Sequence, residues 1–101
     1  MDYASKQEGT TLAFSLTGKL SFADSETMKK AIEEAREASC TGCSIDLAGL
    51  TSIDSSGLGM LLMFNDALKE QEKNLALHGA VGQVHKMLEI AKLSQIITIN
   101  P

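Results

Sequence analysis

Apolar and polar residues alternate in two distinct rhythms along the chain. Over Thr11–Thr17, Leu12, Phe14 and Leu16 fall on one side and Thr11, Ala13, Ser15 and Thr17 on the other. That period of two predicts a half-buried strand, closed by Gly18. Residues 2–8 form its partner, with Glu8-Gly9-Thr10 as the turn. From about Ala23 to Ser39 the rhythm changes. Met28, Ala31, Ile32 and Ala35 recur at three and four residues, with Lys29, Lys30, Glu33, Glu34, Arg36 and Glu37 opposite, which predicts an amphipathic helix. Asp24 or Ser25 suits its N-cap.

The same reading gives a core strand over Ser44–Leu50 and a second helix from the glycine-rich stretch after Ile53 to about Gln71. A short strand follows over Leu75–His78, then a helix over Val81–Ala91 and a last strand over Ile96–Ile99. Strands separated by helices imply parallel pairs joined by right-handed crossovers. The first two strands lie too close for a crossover and must pair antiparallel. The expected architecture is α/β: a mixed sheet, antiparallel at the first pair and otherwise largely parallel, with helices packed against it. With 101 residues and no linker composition, the chain is expected to be one domain over 1–101.

Composition narrows the function classes. Lys and Arg number 9 against 13 Asp and Glu, so the formal net charge is −4, and no basic stripe is present. This argues against phosphate backbones and anionic membrane surfaces. Aromatics make up only 4% and include no Trp, so base-stacking platforms for nucleic acid are not expected. Asp2 and Glu8 sit where a secretory signal would carry lysine and a long apolar run. The longest apolar run, Gly57–Phe64, is far short of the about 20 residues of a membrane span. A cytoplasmic protein is expected, with no nucleic acid, no membrane insertion and a monomeric state.

The most informative stretch is Ile53-Asp54-Ser55-Ser56-Gly57-Leu58-Gly59. Asp54 precedes an apolar-periodic helix and can cap it. Ser55 and Ser56 then fall in the first turn, where backbone N–H groups have no partner within the helix. Gly57 and Gly59 take side chains away beside these hydroxyls, so that another molecule can approach. In the helix that follows, Leu58, Leu61, Phe64, Asn65 and Leu68 share one side. Met60, Met63 and Ala67 lie near the opposite side with Asp66 and Glu70. Two flexible thioethers on an outer face suit a protein-docking surface, unless a neighbouring segment covers them.

Asp46-Leu47, followed by Ile53-Asp54-Ser55-Ser56-Gly57-Leu58-Gly59, resembles the signature of STAS domains, particularly bacterial anti-sigma-factor antagonists. The element order resembles that family over nearly the whole chain. The resemblance implies a STAS-like fold and a partner-switching role without catalysis or cofactor. The unmodified protein would bind an anti-sigma factor that is also a serine protein kinase. Phosphorylation on Ser55, with Ser56 as the alternative, would release it, and a metal-dependent serine phosphatase would restore it. The contact surface would take in Asp54, Ser56, Gly57, Gly59, Met60 and Met63, with Asp46 near the phosphoserine and Ser21-Phe22 at its edge. Gly18-Lys19-Leu20-Ser21 departs from the pattern, since a serine stands where the family commonly has an acid. The chain also ends soon after its last strand, where many members carry another helix. The alternative within the family is an accessory subunit of an ABC-type lipid transporter, which binds its ATPase without being phosphorylated.

Other constellations carry less. Cys40-Thr41-Gly42-Cys43 has C-x-x-C spacing, so a thiol-redox protein is a further alternative. Yet the pair follows a helix, and a helix C-terminus does not lower a thiol pKa. It is also half of a zinc site, and no second pair exists. His78 and His85 lack the Cys or carboxylate cluster that would complete a metal shell, and His85 reads as a solvated side chain. No nucleophile elbow accompanies Ser55, and Gly57-Leu58-Gly59 lacks the rest of a dinucleotide pattern.

Overall fold

The structure, a computed structural model, describes residues 1–100. Strand β1 (Asp2–Glu8) turns at Gly9, whose φ is +62°, into β2 (Thr11–Leu20). A 3-10 turn at Phe22–Asp24 leads into helix α1 (Ser25–Glu37), and β3 (Gly42–Ile53) follows. Helix α2 (Ser55–Lys69), β4 (Asn74–His78), α3 (Gly82–Ile90), a second 3-10 turn and β5 (Thr98–Asn100) complete the chain.

The five strands stand in sequence order, β1 antiparallel to β2 and every later pair parallel. The mixed sheet expected from the sequence is therefore present. Right-handed crossovers between strands laid down in this order carry all three helices to one face. The burial agrees. Leu12, Phe14 and Leu16, Cys43, Ile45 and Leu47, and Leu75 and Leu77 are buried, while the alternate residues of the same strands are not. Phe14 and Phe64 meet edge to face at 5.4 Å between ring centroids and tie α2 to the sheet.

Three differences from the boundaries read in the sequence have a visible physical cause. Gly18 does not close β2; the strand passes through it at φ +91° with a shifted register and continues to Leu20. A glycine inside a strand marks such an irregularity as readily as an end. β3 likewise runs beyond Leu50, because Ser52 and Ile53 pair with Lys19 and Leu20. Ile96 and Ile97 are drawn into the 3-10 turn by hydrogen bonds to the Leu93 carbonyl, so the last strand starts only at Thr98.

The extension of β2 and β3 positions the site. Leu20 and Ile53 are in register, and the Asp54 N–H donates to the Leu20 carbonyl at 3.3 Å. The starts of α1 and α2 are therefore held side by side at the carboxyl edge of the parallel strands. In open α/β sheets that edge is where binding sites form.

Candidate functional site

Asp54 is extended (φ −108°, ψ −176°), and its Oδ1 accepts the Gly57 N–H at 2.8 Å. Its carbonyl accepts the Leu58 N–H at 3.0 Å. This is an N-cap, of the kind worth about 0.5–2 kcal/mol to a helix. It leaves the Ser55 and Ser56 N–H groups in the first turn without intrahelical acceptors. Ser55 is exposed and Ser56 is half-buried. The Ser55 hydroxyl thus stands in solvent at the positive end of a 15-residue helix.

Beside it, α1 and α2 leave a groove of about 460 Å³. Phe22, Met28, Ile32, Met60 and Met63 supply its apolar walls, and Ser25 and Ser56 lie at its end by the two helix starts. Phe22 is 74% exposed and Met63 is 54% exposed on its rim. The α1 wall was not foreseen. Met28 and Ile32 carry only the ordinary signal of a core stripe. Phe22, placed with Ser21 at the edge of the contact surface from the sequence, does line the groove.

The sequence-predicted residues divide. Ser21, Asp54, Ser55, Ser56, Gly59 and Met63 come together at this edge. Ser21 is half-buried, and its N–H donates to Asp24 Oδ2 at 2.9 Å. Asp24 thus stands at the N-cap position of α1, one of the two expected, but its side chain makes no cap bond to that helix and braces the turn before it. Its other oxygen takes the Met1 amine at 2.8 Å, and this contact, with the Ser21 bond, lowers its pKa below the usual carboxylate value.

Met60 is not on an outer face. It is only 7% exposed and forms the floor of the groove, because α1 lies along α2 and covers both Met60 and Ala67. Gly57 does not clear space around the serines either. A Cβ there would stand 2.6 Å from Ile53 Cγ1 and 2.8 Å from the Leu20 carbonyl oxygen, so this glycine lets the helix start press against the two strand ends. At Gly59 a Cβ would meet nothing within 4 Å, and the surface is open as expected.

Asp46 does not flank Ser55. Seven residues of β3 lie between Asp46 and Asp54, roughly 20 Å at the rise of a strand. Asp46 is level with His78, and its Oδ1 accepts the Ala48 N–H at 2.9 Å, so it braces a local irregularity. Gln83 went unnoticed in the sequence. Its side chain clasps the Ile53 backbone through N–H and carbonyl, each at 2.9 Å, and fastens α3 to the strand end that carries the site.

Cys43 is buried, and burial together with the neighbouring Cys40 thiol pushes its pKa up to about 12. A redox pair needs the opposite shift. His85 faces Glu89 one turn on, at 2.9 Å on an exposed surface. Among the described residues no group of three or more His, Cys, Asp and Glu is placed to hold a metal, and no helix is long and apolar enough to cross a membrane.

A family model described as "Mlab, STAS domain" matches residues 3–98. The chain belongs to the STAS-domain family. Among relatives of this STAS domain, a STAS-domain containing protein of Pseudomonas aeruginosa (strain UCBPP-PA14) is 27% identical over 93 residues, covering 92% of this chain and 91% of its own. Solved structures share the fold. An anti-sigma factor antagonist from Mycobacterium paratuberculosis matches with a TM-score of 0.87 at 15% identity, over 99% of this chain and 85% of its own. The phosphorylated form of the Bacillus cell fate determinant SpoIIAA matches at 0.73 and 19%, over 99% and 92%. A sulfate transporter family protein from Wolinella succinogenes matches at 0.74 and 15%, over 87% and 71%.

Proposed function

We propose that this STAS domain is a partner-switching regulator of the anti-sigma-factor-antagonist kind, released from its partner by phosphorylation of Ser55. The observation that carries the reading is an exposed Ser55 hydroxyl at the capped start of α2, beside an apolar groove with Phe22 and Met63 on its rim. The partner is a serine protein kinase that also acts as an anti-sigma factor or a related output protein. A metal-dependent serine phosphatase resets the switch, and the domain itself is a cytoplasmic ligand and substrate, not a catalyst. Fold relatives named as anti-sigma factor antagonists support this reading, among them SpoIIAA, which is also solved in a phosphorylated form.

Magnitudes favour a switch at this position. Phosphate adds about −1.5 to −2 charges and three strong acceptors. The fold accommodates them, because the Ser55 and Ser56 N–H groups and the helix dipole face the new anion. A docked partner does not. A desolvated dianion then lies beside the Asp54 carboxylate in the interface, and each 1.4 kcal/mol or so of repulsion and desolvation is tenfold in affinity.

The test pairs two variants with the cognate kinase. Ser55→Ala keeps binding and loses phosphorylation, while Ser55→Asp binds at least about tenfold more weakly. Full phosphorylation of Ser55→Ala overturns the assignment and transfers it to Ser56. The second reading, an accessory subunit of an ABC-type transporter, draws on the sulfate transporter relative and on the description of the matching family model. Capture of an ABC ATPase without any kinase, at the same groove, decides for it.

A further inference from the structure

β3 outruns one of its neighbours. Its pairing with β4 ends at Asp46 and His78, yet the strand continues to Ile53. Successive residues of a strand turn their N–H and carbonyl groups to opposite flanks. Asp54 turns its N–H to the Leu20 carbonyl of β2, so Ile53 faces the flank that β4 leaves bare. Backbone groups on that flank need partners like any others. One side chain supplies both. The Gln83 amide nitrogen donates to the Ile53 carbonyl, and the amide oxygen accepts the Ile53 N–H, each at 2.9 Å. A carboxamide carries a donor and an acceptor side by side, the same pair that a strand residue offers. Gln83 stands in for the missing strand.

Ile53 lies two residues before Ser55, at most about 7 Å of chain. The two Gln83 bonds are shorter than the 3.3 Å bond from Asp54 to Leu20, so the direction in which α2 starts is set from α3 as well as from β2. We infer that Gln83 is a positioning residue for the phosphorylation of Ser55: it fixes Ile53, through it the Asp54 cap, and so the place of the hydroxyl that a kinase must reach. Phosphoryl transfer tolerates little error, since a misplacement of about 1 Å can cost about 10²-fold in rate. This role rests on the switch proposed at Ser55 and makes α3 a part of it. Gln83 is itself exposed, while α3 packs through Val84 and Leu88, so replacing Gln83 leaves the buried face of the helix intact.

Two variants test it. Gln83→Met removes donor and acceptor at nearly constant size, and Gln83→Asn keeps both on a side chain one methylene too short. The Gly57 and Leu58 N–H groups, which bond to Asp54, report on the helix start without any kinase. On the ¹⁵N-labelled chain their hydrogen exchange should be about tenfold faster in both variants, with the central Ile45 and Leu47 unchanged. With the cognate kinase, kcat for Ser55 should fall about tenfold at unchanged KM, because the docking groove is untouched. Wild-type exchange at Gly57 and Leu58 in both variants overturns the role. So does faster exchange with undiminished kcat, or a rise in KM alone, which makes Gln83 a contact of the kinase instead. Phosphate mapped in the wild type to a residue other than Ser55 removes the switch and this role with it, a failure visible before either variant is made. Gln83→Asn, the milder change, decides if Gln83→Met fails to fold.

Discussion

Gly57 and Gly59 stand two residues apart in the first turns of α2, yet replacing each with alanine should move stability in opposite directions. At Gly57 the new methyl would lie 2.6 Å from Ile53 Cγ1, 2.8 Å from the Leu20 carbonyl oxygen and 3.0 Å from Leu20 Cγ. One of these neighbours is backbone and the others belong to buried side chains at the joint of β2 and β3, so relief requires α2 to shift off the strand ends. With a carbonyl and two buried side-chain atoms all within 3.0 Å, the cost falls in the upper part of the overpacking range, about 2–3 kcal/mol. The gain in helix propensity returns at most about 1 kcal/mol. The net loss of about 1–2 kcal/mol lowers Tm by roughly 4–16 °C in a domain of this size. At Gly59 nothing opposes the methyl, and Gly59→Ala should gain about 0.5–1 kcal/mol from the unfolded chain. Urea unfolding followed by circular dichroism reads both changes as shifts in midpoint at constant m-value. A Gly57→Ala chain as stable as the wild type, or two shifts of the same sign, would refute the close seating of α2 on Leu20 and Ile53.

Two further outcomes test the electrostatics. With its pKa pushed up to about 12, the Cys43 thiol stays protonated at neutral pH. A maleimide at pH 8 should therefore label at most Cys40 rapidly in the folded chain and both thiols in denaturant; two fast thiols in the native state would contradict the burial. Asp24 has a folded pKa below its ordinary 3.8, through the Met1 amine and the Ser21 N–H. A depressed carboxylate adds stability above its unfolded pKa and loses it as pH falls through the folded value. Asp24→Asn should therefore weaken the pH dependence of unfolding below about pH 4, and an unchanged acid limb would remove the brace.

Much of this architecture is legible in the chain because its signals are local. The two-residue alternation in β2, the three-and-four spacing in α1 and the Asp54 cap each act within a few residues, and each is realised. What escaped depends on contacts distant in sequence. Helical periodicity places Met60 and Ala67 opposite Leu61 and Phe64, but only the crossover that lays α1 along α2 decides that both are covered. The motif likewise suggests open space at both glycines. Whether a Cβ fits at Gly57 depends on Leu20, which lies 37 residues earlier and reaches the site through strand register. The motif groups Asp46 with Ser55, while the rest of β3 runs between them and holds them apart. Of the site itself, the serine, its cap and one rim methionine could be read directly, and the α1 wall could not.

The central claim is that Ser55 is the switch. Its most direct test is the intact mass of the protein taken from its native cells, with fragmentation across residues 54–56. The account predicts a species heavier by one phosphate, carried on Ser55 and absent from protein caught on its partner. Phosphate found only outside that segment, or equally abundant in the partner-bound fraction, would contradict it.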